Sequence, residues 1–252
     1  MQPEVAADST LDEIRAASPA PAIEEEVGLP DFPEAAWRGI FSDYRAAMAR
    51  TTEARDVYHF AALWAAVAVL LGRRVSMFSG EPTHPNVYLS LFGTTGDKKT
   101  TAQRQILSYG LLPASIQVIR NLGSTEGLAD CLKREDRGDA TALFFWEELT
   151  ALLARGRWVG STILEFVTEC FDCPPEWGLK YRKGAITVTA PTPTILAGTT
   201  PEWFWKNARA DDFYGGFGNR FLYLTGRKKA PIPNPEEGNP QHGQGVPIVK
   251  EE

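Results

Sequence analysis

The chain has 252 residues, and a hydrophobic share of 43% with 11% aromatic excludes a disordered or fibrous protein. Taken whole, the formal charge of −6 speaks against a basic nucleic-acid-binding protein. That charge is unevenly placed: residues 1–30 hold seven acids and one base, residues 229–252 four acids and two bases, and residues 31–228 carry +2.

Residues 1–30, rich in Ala, Pro and Glu, read as an acidic disordered tail, because few large apolar side chains are there to offset the entropy of ordering them. From Pro33 the pattern changes. Trp37, Ile40, Phe41, Tyr44 and Met48 recur at helical steps, and Val57 to Leu71 predicts a second, more apolar helix. That run is interrupted by His59 and falls short of the roughly 20 residues a bilayer span needs, so a buried helix and no membrane partner are expected. Three cysteines, an odd number, fit free thiols and a cytoplasmic location.

Asn86 to Phe92 is the first predicted strand, and others are expected at Ser115 to Ile119, Thr141 to Trp146, Ala185 to Thr189, Thr194 to Ala197 and Phe221 to Thr225. Helices are expected at Thr125 to Arg134, Ser161 to Phe171 and Pro201 to Asn207. Strands alternating with helices indicate an α/β fold with a mainly parallel central sheet behind an N-terminal helical pair. Residues 229–252, with five prolines from Pro231 to Pro247, read as a disordered tail or linker, which leaves 31–228 as the single ordered domain.

The most informative stretch is Gly93-Thr94-Thr95-Gly96-Asp97-Lys98-Lys99-Thr100-Thr101, lying between a predicted strand and a helix start. This is the context of a phosphate-binding loop, in which backbone amides and a helix N-terminus surround a nucleotide's phosphates. Against G-x-x-x-x-G-K-[ST], Lys99 is the phosphate-binding lysine and Thr100 the hydroxyl that holds Mg2+, while Lys98 stands where a second glycine is usual. Either the loop bends differently or Gly96 takes over the turn. Two lysines at a helix start oppose its dipole unless an anion sits there.

A phosphate loop calls for a second strand ending in acids, and Leu143-Phe-Phe-Trp-Glu-Glu148 has that form. Glu147 takes the place of the acid that holds magnesium through water, and Glu148 that of the residue that orients the attacking water. As an alternative, both acids complement a helix dipole. Thr199 or Thr200 could touch the γ-phosphate or the water, although Thr200 before Pro201 is equally a helix cap. Arg220, after a glycine-rich approach, could reach a neighbouring subunit's nucleotide or form a core-edge salt bridge. Lys180, Arg182 and Lys183, with two nearby aromatics, suit either a hairpin touching single-stranded DNA or a solvated loop. Cys170 and Cys173 have C-x-x-C spacing with no second pair, so no metal or redox site is expected of them.

In their order, these motifs resemble the AAA+ helicase-like ATPase domain of phage- and plasmid-type primase-helicase and replication proteins, from about Phe32 to Lys228. The resemblance implies a three-layer P-loop NTPase that binds ATP and Mg2+ at the interfaces of a homo-oligomeric ring, with DNA, single-stranded, in its central passage. It implies Lys99 and Thr100 at the nucleotide, Glu148 at the water, Thr199 or Thr200 as sensor and Arg220 acting in trans. Relatives of this kind continue into a helical lid, so a separate primase or lid-bearing chain is a possible partner. The expected function is an ATP-hydrolysing helicase or motor domain serving replication of a mobile element. Its alternative is a hydrolysis-deficient assembly or DNA-tethering module, and a small-molecule kinase lacks an evident acceptor site.

Overall fold

A computed structural model describes residues 29, 31–78, 80–120, 123–133, 138–181 and 184–232. The expected tails lie outside these residues except at their inner ends. Chain order begins with helices α1 (Ile40–Met48) and α2 (Asp56–Leu71), a two-stranded ribbon β1 (Met77–Phe78) and β2 (Pro82–Thr83), then β3 (Tyr88–Phe92) and α3 (Lys99–Ser108). There follow β4 (Gln117–Ile119), α4 (Thr125–Leu132), β5 (Ala140–Trp146), α5 (Thr150–Gly156) and α6 (Ile163–Phe171). The last elements are β6 (Glu176–Tyr181), β7 (Gly184–Thr189), β8 (Pro191–Thr199), α7 (Pro201–Asn207), α8 (Ala210–Tyr214) and β9 (Phe221–Leu224).

Five strands form one parallel sheet in the order β4-β5-β8-β3-β9. Period-two alternation assigns its side chains to two cores. Leu89, Leu91, Leu143, Phe145 and Leu196 pack with α1, α2 and α3, whereas Tyr88, Phe144, Trp146, Ile195 and Ala197 pack with α4, α5, α6 and α7. Helices thus cover both faces. Each fully buried Leu or Phe in these layers stabilises the fold by roughly 1.5–3 kcal/mol.

Together with the turn after it, α2 is long and apolar enough to cross a membrane by length and composition alone, yet 61% of that window is buried here. It lies against the sheet as a core helix, and His59 within it is 1% exposed beside the Tyr44 ring. Burial drives the imidazole down to about 3, so His59 is neutral at ordinary pH.

Two expectations need correction. Ala185 to Thr189 does not join the parallel sheet: β7 pairs antiparallel with β6, and the pair packs on α6 through Trp177, whose ring lies 4.5 Å from Phe166. Ala190 at φ 50 separates this hairpin from β8. Second, the central strand is longer than Thr194 to Ala197, because Pro191 and Pro193 lie inside β8. Their neighbour of like parity, Ile195, donates its amide to the Val87 carbonyl, just before β3. Pro191 and Pro193 have only β5 as a partner strand, so the amides they lack would point to the unpaired side.

Past β9, the chain does not leave the fold at Lys229. The Lys229 ammonium reaches Asp56 at 2.5 Å, and the Ile232 amide donates to the Glu53 carboxylate.

Candidate functional site

Ligands of open α/β sheets bind beyond the carboxyl ends of the strands, where neighbouring strands send their next helices to opposite faces. That condition holds between β3 and β8. The helix after β3 packs in one core through Ala102 and Ile106, and the helix after β8 packs in the other through Phe204. Residues 93–98 lie at this point, with the Gly93 amide 3.4 Å from the Thr199 carbonyl.

The loop's shape follows from its residues. Gly93 is required by close approach, since a Cβ there would stand 2.2 Å from the Tyr58 hydroxyl and 2.6 Å from the Asp97 carboxylate. Gly96 has φ 94 and Lys98 φ 59, so the chain takes two left-handed steps rather than transferring the turn from one residue to the other. For a lysine such a step costs roughly 1 kcal/mol or more. Asp97 is buried, accepts from Thr94 Oγ1 at 3.1 Å and from Arg55 at 2.7 Å, and lies 3.8 Å from Lys228. Tyr58 donates to the Phe92 carbonyl at 2.6 Å. Thr95 and Gly96 are exposed at the tip.

At the start of α3 the donors are unspent by any side-chain cap. Lys98 makes no cap hydrogen bond, and the first turn of Lys99, Thr100 and Thr101 contains no acid. Lys99 Nζ folds back to donate to the Gly93 carbonyl at 2.5 Å and the Thr94 carbonyl at 2.9 Å. Its pKa is held below the ordinary lysine value by burial, against the opposing pull of the Asp97 and Glu148 carboxylates. A cationic amine beside an uncapped helix start is the pattern of charge and hydrogen bonding that an anion would satisfy.

The acids stand at the end of β5, separated from β3 by β8. Two strand spacings put roughly 9–10 Å between the loop and the acids. Glu147 and Glu148 precede α5 instead of starting it. Both Glu147 oxygens are taken by Arg104, at 2.6 and 2.8 Å. Glu148 Oε1 accepts from the Thr150 hydroxyl at 2.8 Å and its amide at 3.2 Å.

Between these acids and the loop stand the two threonines. Thr199 Oγ1 donates to the Thr200 carbonyl at 3.3 Å, and Thr200 Oγ1 accepts from the Trp203 amide at 3.3 Å, so Thr200 is a helix cap here. Arg220 is elsewhere. It precedes Phe221, which pairs with Tyr88 at the amino end of the sheet, so it lies roughly 13 Å or more along β3 from the loop. There it donates to Asp172 and the Gly216 carbonyl, each at 3.0 Å. Lys180 is exposed on β6, while Arg182 and Lys183 lie outside the described residues.

The sequence reading missed Arg55, Tyr58, Gln103, Arg104, Thr150 and Lys228. A signal for Arg55 existed in a basic residue immediately before an apolar helix. A cavity of about 320 Å³ lies between Asp31 to Glu34, Arg45, the start of α2 and Thr225 to Lys229, and no residue of the 93–98 loop lines it. Among the described residues no cluster of His, Cys, Asp and Glu has the makings of a metal site, and the three cysteines are free thiols. Burial pushes the Cys173 thiol up to about 11 and Cys170 higher still, which makes both unreactive. No known family's sequence profile matches the chain, and no characterised protein matches it either.

Proposed function

We propose that this chain is an ATP-binding and ATP-hydrolysing P-loop domain of the AAA+ helicase-like kind, acting as a motor in replication of a mobile element. The observation that carries the reading is the uncapped start of α3 with the Lys99 amine turned over the 93–98 loop. Lys99 and the loop amides hold the phosphates. The Thr100 hydroxyl, on the first turn of α3, would hold a magnesium ion, which would supply neutralisation of charge developing on the phosphates. Glu148 orients the water across the gap, and Thr199 stands between the two. Arg220 lies too far to serve its own subunit's loop, so its part requires a neighbouring copy, as in a homo-oligomeric ring. Lys180 and the β6–β7 hairpin would meet single-stranded DNA.

The alternative of a hydrolysis-deficient assembly or tethering module draws on one observation, that Glu147 is bound to Arg104. Release of phosphate from ATP, with and without single-stranded DNA, tests the two readings, run beside a mass measurement in nucleotide. Turnover that DNA stimulates, in an oligomer, is expected. Tight nucleotide binding with no release would favour the module, and a monomer indifferent to nucleotide and DNA would sink both.

A further inference from the structure

Two successive residues of α3 hold two successive residues at the end of β5. Gln103 Nε2 donates to the Trp146 carbonyl at 3.4 Å, and Arg104 forks onto the Glu147 carboxylate. Gln103 is fully buried, and it fits because Gly198 has no side chain: a Cβ there would stand 3.1 Å from the Glu147 carbonyl and 3.4 Å from Gln103 Oε1. The Leu149 amide donates to the Gly198 carbonyl at 2.7 Å, so the same point also ties β8 to the chain after the acids. Gln103 lies one helical turn beyond Lys99, on the same face of α3, and Trp146 and Glu147 lead directly into Glu148.

We propose that Gln103 and Arg104 form a clasp that fixes the separation between the phosphate loop and Glu148. In it Glu147 anchors α3 instead of facing a metal. This inference rests on the nucleotide-binding reading above. An arginine fork is planar and two-pronged, so it fixes the direction of the carboxylate as well as its distance. With both oxygens of Glu147 so engaged, Thr100 is the residue left to meet magnesium, and Arg104 and Gln103 are positioning residues. The pair is well exposed, at 62% and 43% of the side chains, so removing it leaves the fold intact and the measurement reads positioning.

The test compares Arg104→Ala, Glu147→Ala, the double variant and the exchange Arg104→Glu/Glu147→Arg. Two quantities are read: affinity for a fluorescent ATP analogue over a magnesium titration, and kcat separately from KM. Expected are a fall in kcat of roughly 10- to 100-fold in each single variant, no further fall in the double variant, and partial recovery in the exchange. The magnesium dependence of analogue binding should stay that of the wild type throughout. If Glu147→Ala alone raises the magnesium requirement while Arg104→Ala does not, Glu147 faces the metal and the clasp is overturned. Unchanged kcat in both single variants overturns it equally. A wild type that binds no nucleotide at all is a different failure, that of the phosphate-loop reading, and it takes the clasp with it.

Discussion

Two strand-to-helix turns leave the same edge of the sheet from adjacent strands, and they treat their backbone donors in opposite ways. After β8, Thr200 caps the Trp203 amide, Pro201 has no amide to satisfy, and Glu202 supplies a negative charge to the first turn. After β3, no side chain caps the start of α3, no acid occupies its first turn, and Lys98 and Lys99 add positive charge instead. The first turn is complete in itself, and the second has neither a side-chain cap nor an acid. A run of threonines is therefore ambiguous until its donors are accounted for.

The largest effect expected from breaking this contrast is at Asp97. Replacing it by Ala takes the Asp97 carboxylate from the buried Arg55, and urea unfolding should show a loss of about 3 kcal/mol. A loss under 1 kcal/mol would mean that the loop is not organised by that pair. At the self-capped turn, Thr200→Ala should cost about 1 kcal/mol of stability while leaving nucleotide affinity unchanged. A large loss of affinity there would make Thr200 a site residue after all. Lys98→Gly relieves a left-handed lysine, and thermal unfolding should show a gain of roughly 0.5–1 kcal/mol with binding retained.

The smallest effect is one of pH. Burial holds the Lys99 pKa below the ordinary lysine value, so its ammonium is lost earlier on raising the pH than that of a free lysine. Nucleotide affinity should therefore weaken on the alkaline side before an ordinary lysine would titrate, and bound phosphate should push that loss to higher pH. Affinity that stays flat until the ordinary lysine range would place Lys99 away from the phosphates.

The parts legible in the sequence are those written in local pattern. Apolar runs and a glycine-bounded strand located α2, β3, β5 and the loop, because burial on both faces and the turn chemistry each leave a mark on neighbouring residues. The β6–β7 hairpin was legible only as one of two readings of Lys180 to Lys183, and its second strand was assigned to the central sheet. Among its described side chains Trp177, Leu179, Ile186 and Val188 face the core, and the residue that parts the hairpin from β8 is an alanine, Ala190, where no turn residue announces the break. Pro191 and Pro193 concealed the first part of β8, since a proline is tolerated in a strand only where pairing is one-sided, and which side is paired is a tertiary fact. The same limit applies to the site. Gln103 and Arg104 look like ordinary polar helix residues, and their partners Trp146 and Glu147 lie more than forty residues away in the chain.

The central claim is that the start of α3 awaits the phosphates of a nucleotide, and equilibrium titration of a fluorescent ATP analogue into wild type, Lys99→Ala and Thr200→Ala tests it most directly. Saturable binding by wild type and Thr200→Ala, with at least 100-fold weaker binding by Lys99→Ala at unchanged stability, is the predicted result. Equal binding by all three proteins, or none by the wild type, would contradict it.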